Sequence, residues 1–152
     1  MSCIFCAIVA GHQPCHKIWE DEAHLAFLSI YPNIEGFSVV IPKRHLSSYV
    51  FDHDDQSIAA LLLASKKVAT VLDRYFSDVG RTGLIFEGYG VDHLHSKLFP
   101  MHGTGGGSEF RPISSSVDKY FTRYEGYISS HDYKRADDAV LAELASRIRA
   151  SC

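Results

Sequence analysis

No run of apolar residues in this 152-residue sequence is long enough to cross a bilayer, so no membrane-spanning helix is expected. Basic residues are not in excess either. Fifteen Lys and Arg stand against 18 Asp and Glu, a formal net charge of −3, and no basic tract is set apart from the rest. Binding to a nucleic-acid polymer through its phosphates is therefore not expected. The N-terminus lacks the charged-then-apolar pattern of a secretory signal, and with it the setting in which cysteines pair as a disulfide framework. Cysteine is sparse, at four residues. A soluble, cytoplasmic protein is the expectation. No internal repeat or linker divides the sequence, so residues 1–152 are read as one domain, with enough chain for a core of its own.

What is present reads as short alternating elements. CIFCAIVAG, Cys3 to Gly11, sets Ile4 and Ile8 at a helical interval beside Phe5 and ends on glycine, which predicts a short helical turn. HKIWED and HLAFLSI read as two strands joined at Glu20, Asp21 and Glu22. FSVVIP, Phe37 to Pro42, is a buried strand closed by proline. From Asp54 to Phe76 the period becomes helical, with Asp54 or Asp55 as cap and Ile58, Leu61, Leu62, Ala69, Leu72 and Phe76 on one face. RTGLIFEGYGV is a strand broken at Gly88 and Gly90. HGTGGGSEF is a glycine loop without the lysine and hydroxyl residue that close a P-loop. RADDAVLAELASRIRAS is an amphipathic helix with Asp137 and Asp138 in its first turn and Arg147 and Arg149 in its last. The order predicts an α+β fold with an antiparallel sheet.

Two constellations carry possible chemistry. VDHLHSKLFP, Val91 to Pro100, alternates with period two from His93 to Phe99. A strand there turns Leu94, Ser96 and Leu98 one way and His93, His95, Lys97 and Phe99 the other. Two imidazoles and an ammonium on one face are either a solvated strand face or an anion site. In the anion site Lys97 supplies charge and an imidazole supplies a nucleophile or general acid near neutral pH. Glycines just upstream would let a phosphate come close to the backbone. Cys3 and Cys6 have the spacing of a zinc knuckle, but the histidines that would complete four ligands are distant in sequence, so spacing does not choose them. The alternatives are two half-buried structural cysteines, or a redox pair whose usual strand-then-long-helix context is missing.

Four blocks in order, CIFCAIVAG, EDEAHLAFLSI, PNIEGFSVVIPKRH and DHLHSKLFP, resemble consecutive blocks of the histidine triad (HIT) family. The resemblance covers residues 1–102 and leaves 103–152 as a divergent loop and C-terminal helix. It implies an HIT-like antiparallel sheet of about five strands with one long helix, usually as a homodimer. It also implies a nucleotide substrate, attacked at its α-phosphate. His95 matches the middle histidine of the triad, which becomes a nucleotidyl-histidine; His93 matches the first, and Lys97 occupies the place of the third. A backbone carbonyl would hold the proton of the other His95 nitrogen and so fix the tautomer. The family's base and ribose pocket maps to Ile4, Phe5, Ile8, Phe27 and Ser29, and its phosphate edge to Gly88 and Tyr89. His45 matches a histidine that supports the site. Zinc-bearing relatives imply Cys3, Cys6, His45 and His93 as the ligands of a structural Zn²⁺, closed and tetrahedral.

The sequence departs from the family pattern at the edges of that pocket. Lysine stands for the third histidine, Ser29 for an acidic ribose contact, and Tyr89 for the glutamine that orients the leaving group. The candidate nucleophile is intact. The resulting expectation is a hydrolase of dinucleoside polyphosphates or nucleoside phosphoramidates. The alternatives are a nucleotidyltransferase and a zinc-stabilised nucleotide-binding module with little catalysis.

Overall fold

Asp21 closes the first hairpin. Its Oδ1 accepts from the backbone N–H groups of Ala23 at 2.9 Å and His24 at 2.7 Å, an Asx turn between β1 (His16–Glu20) and β2 (His24–Leu28). The computed structural model describes residues 3–105, 110–128 and 134–152. Part of the predicted glycine loop and His131 lie outside the described residues. The remaining elements are α1 (Ile4–Val9), β3 (Ser38–Pro42), a 3₁₀ turn (Val50–Asp52), α2 (Asp55–Tyr75), β4 (Thr82–Ile85), β5 (Ser96–Pro100) and α3 (Asp138–Ala150). The strands form one sheet in the order β1-β2-β3-β5-β4, and every neighbouring pair is antiparallel. This is the α+β arrangement predicted, with its long helix and C-terminal helix.

Alternation sorts the strand side chains onto two buried faces. One face carries Ile18, Ala26, Leu28, Val40, Leu94 and Leu98 against Leu61, Val68 and Leu72 of α2 and Leu141, Leu144 and Ile148 of α3. The other carries Leu25, Phe27, Val39 and Ile41, with Phe37 and, from α1, Phe5. Between α2 and β5 the hydroxyls of Ser65 and Ser96 meet at 2.7 Å, and Ser65 also donates to the Leu61 carbonyl at 2.8 Å. Both buried serines are thereby satisfied, and β5 is keyed to the helix behind it.

Three local expectations are corrected. The predicted strand from His93 to Phe99 begins only at Ser96, because the last rung to β3 is Val40 with Ser96. Beyond it Pro42 has no N–H to give, and the backbone of Leu94 donates instead to the Leu46 carbonyl at 2.8 Å. The two faces of the motif nevertheless separate as read. Leu62, placed on the buried face of α2, is 49 % exposed, because each helical residue turns about 100° from its neighbour and Leu61 takes the inward direction. Asp137 proves to be the N-cap of α3, its Oδ1 accepting from Ala139 at 2.8 Å and Val140 at 3.2 Å. Among the described residues no helix is long and apolar enough to cross a membrane.

Candidate active site and metal centre

Cys3, Cys6, His45 and His93 come together, with one ligand atom of each lying within 4.8 Å of all the others. Cys3 is the N-cap of α1, so its sulfur and that of Cys6 one turn on share the end of the helix. Nδ1 of His93 is 3.4 Å from Sγ of Cys3 and 3.6 Å from Sγ of Cys6, and Nδ1 of His45 is 3.4 Å from Sγ of Cys6. Around a tetrahedral zinc, bonds of about 2.3 Å to sulfur and about 2.0–2.1 Å to nitrogen give S···N edges of about 3.6 Å. His93 is oriented for a metal as well. Its Nε2–H donates to the Pro42 carbonyl at 2.8 Å, which leaves the Nδ1 lone pair facing the sulfurs. Burial raises the Cys6 thiol pKa, and the neighbouring Cys3 raises it further. A cation between the sulfurs would offset that cost. The donor set is compatible with zinc.

Two residues on, the backbone that carries His93 also sets His95. Nδ1 of His95 lies 2.7 Å from the His93 carbonyl, which can only accept, so Nδ1 carries the proton and Nε2 the lone pair. Burial is the main reason the His95 pKa is held below the ordinary histidine value, and Lys97 and His93 push it the same way. The ring is a neutral, oriented imidazole at neutral pH. Phe5 packs edge-on against both histidines, with centroids 5.7 Å from His93 and 5.5 Å from His95.

Lys97 is not the open cation that its place in the motif suggests. Its side chain is 1 % exposed and is ion-paired with Glu87, itself 4 % exposed. Tyr124 of the divergent segment donates to the other Glu87 oxygen at 2.5 Å. Burial and that carboxylate push the Tyr124 hydroxyl up to about 12. Tyr89, 67 % exposed, stacks on Tyr124 at 6.1 Å. Gly88, at φ +80°, is fastened through its carbonyl to Ser48 Oγ at 2.9 Å, and the space a Cβ would enter there faces Ser48 and Tyr49.

A cavity of about 560 Å³ opens beside these residues, and Ile4, Phe5, Ile8, Phe27 and Ser29 all line it. Gly88, Tyr89, Lys97 and His95 do not. The imidazole adjoins the cavity through Phe5, which is shared by both. The structure thus brings the sequence-derived residues together in two groups, an apolar slot and a histidine cluster, with one aromatic ring between them.

The sequence matches the HIT domain over residues 10–104. The chain belongs to the HIT family. An adenosine 5′-monophosphoramidase of Schizosaccharomyces pombe is 38% identical over 119 residues, which is 75% of this chain and 88% of that protein. A solved HIT-family structure from Bacillus subtilis is 32% identical, with a TM-score of 0.60 over 74% of this chain and 84% of that one. A zinc-bound histidine triad protein from Mycobacterium smegmatis shares the fold at 24% identity and a TM-score of 0.69, covering 99% of this chain and 93% of that chain.

Sequence reasoning missed Glu87, Tyr124, His16, Arg135 and Asp138. None lies within the four motif blocks, and Tyr124 and Glu87 are 37 positions apart. Among the histidines given no role above, His24 is buried on β2. His102 is held between Asp78 and the Glu35 carbonyl.

Proposed function

We propose that this HIT protein is a nucleotide hydrolase that works through a nucleotidyl-histidine on His95. The observation that carries the reading is the His95 tautomer, with Nδ1–H bound to the His93 carbonyl at 2.7 Å and Nε2 left as the nucleophile. The Nε2 lone pair attacks the α-phosphorus in line. The bond from phosphorus to the bridging atom breaks, and the leaving group departs with that electron pair. Water then attacks the same phosphorus and yields a proton to solvent, the P–N bond breaks with its electron pair returning to Nε2, and the nucleoside monophosphate and neutral His95 are released. Because His95 is 3 % exposed and packs against Phe5, which lines the cavity, substrate engagement includes a displacement of that ring.

Lys97 bears on the choice of substrate. Its charge is matched by Glu87, so it offers no free acid to a departing amine. A phosphate leaving group departs as an anion and needs no such acid. Dinucleoside polyphosphates are therefore favoured over nucleoside phosphoramidates, the class that the Schizosaccharomyces pombe relative's name describes. A zinc held by Cys3, Cys6, His45 and His93 would have no open position for a catalytic water. Its contribution, when bound, is to fix His93 and hence the carbonyl that orients His95. A homodimer fits the same reading. β4 is an edge strand, and Leu62 and Leu63 on α2 are 49 % and 59 % exposed.

The test is turnover of diadenosine polyphosphate by wild type and His95→Ala. His95→Ala should lose about a thousandfold or more in kcat with the fold retained. Undiminished turnover in His95→Ala would mean another nucleophile, and a wild type that binds nucleotide without turnover would mean the binding module.

A further inference from the structure

The lining of the apolar cavity includes a polar cluster. His16, at the start of β1, and Arg135 and Asp138, at the start of α3, line it beside Ser29. Nε2 of His16 lies 2.9 Å from Oδ1 of Asp138. The Arg135 guanidinium donates to the same carboxylate, from NH1 to Oδ2 at 3.0 Å and from NH2 to Oδ1 at 3.2 Å. The backbone N–H of Ala136 donates to the Ile30 carbonyl at 2.8 Å, which ties this end of α3 to the loop that follows β2. Arg135 and Asp138 lie beyond residues 10–104, the span matched by the HIT domain.

The cluster has the chemistry of a hydroxyl receptor. A carboxylate can accept about four hydrogen bonds, and Asp138 accepts three here, so acceptor capacity remains on Oδ2. Ser29, its polar neighbour, already accepts the Tyr31 N–H at 3.1 Å. The Asp138 side chain is 60 % exposed and that of Arg135 48 %, which places the cluster at the wet mouth of the slot. A base gains most from the apolar walls at Phe5 and Phe27, whereas sugar hydroxyls lose little by keeping contact with water. Charge also discriminates: an anionic acceptor favours O–H donors and disfavours a phosphate.

We propose that Asp138, held in place by Arg135 and His16, binds the 2′-hydroxyl of the nucleotide's sugar through Oδ2, so that this cavity selects ribonucleotides over 2′-deoxyribonucleotides. The proposal rests on the nucleotide reading above. It adds a specificity residue contributed by the C-terminal helix.

Calorimetry of the full chain with adenosine 5′-monophosphate and its 2′-deoxy analogue tests it. Wild type should prefer the ribonucleotide by roughly tenfold or more, the worth of a hydrogen bond to a charged group. Asp138→Ala should bring the ribonucleotide down to the affinity of the deoxy form, while the deoxy affinity stays unchanged. Asp138→Asn, which keeps the shape and loses the charge, should fall between. Because Asp137 and not Asp138 caps α3, these variants retain the helix. A preference that survives in Asp138→Ala overturns the proposal, as does an equal loss for both nucleotides, which would mark a contact to a group that both share. Wild-type protein that binds neither nucleotide overturns the nucleotide reading itself.

Discussion

Lys97 and Glu87 make a buried ion pair whose worth depends on its staying whole. Removing one partner of such a pair costs about 3–5 kcal/mol, because the other charge is left buried, whereas removing both together is often neutral. Lys97→Met should therefore lower urea-unfolding stability by about that amount, and adding Glu87→Gln should recover most of it. A single mutant as stable as wild type would mean that the pair is open to water. His102 gives a pH-dependent case. Burial alone would lower its pKa, but the Glu35 carbonyl and the Asp78 carboxylate raise it above the ordinary value, and the same bond lowers the pKa of Asp78. A raised histidine pKa adds stability that is complete below about pH 6.5 and lost as pH climbs through the folded value. The lowered Asp78 pKa adds stability that is present above about pH 4 and lost as pH falls through the folded value. The stability difference between wild type and His102→Gln should thus be largest between about pH 4.5 and 6 and shrink towards pH 8. A difference that grows with pH contradicts this assignment. The His102 contacts reach Asp78 and Glu35, 24 and 67 positions away, and nothing in the local sequence announces them.

Helix α1 has six residues, too few to be stable alone, and is held by what it carries. Cys3 and Cys6 place it on His45 and His93, while Phe5 packs on Phe27 and on both triad-position histidines. Chelation of a zinc-loaded sample, or Cys3→Ser, should speed amide hydrogen exchange across Ile4–Val9 and leave α2 protected. Unchanged exchange in α1 would show that apolar packing alone holds it. Elements of this kind were legible in the sequence wherever periodicity set them. The long helix, the hairpin at Asp21 and the buried strand ending at Pro42 follow from spacing, turn chemistry and proline. The start of β5 did not, because the motif alternates before the partner strand has reached it. Strand pairing, rather than the pattern, decides where the ladder ends.

For the whole molecule, the sheet leaves β4 at an edge while α2 leaves Leu62 and Leu63 in solvent. If a second copy covers this side, sedimentation should give a dimer at micromolar concentration, and Leu63→Arg should shift it towards monomer. A monomeric wild type would remove the homodimer from the account. The site was half legible at this scale. The cysteines, His93, His95 and the apolar slot could be named from four motif blocks, because they lie within them. The polar mouth could not, because Arg135 and Asp138 come from a segment without motif resemblance and meet the slot only through the fold. Most direct for the central claim is rapid-quench mass spectrometry of the wild type during turnover of diadenosine polyphosphate, quenched in alkali, where a phosphoramidate survives. An adenylyl group on the peptide containing His95, absent in His95→Ala, is the predicted result. Product formation with no adduct at His95 would contradict it.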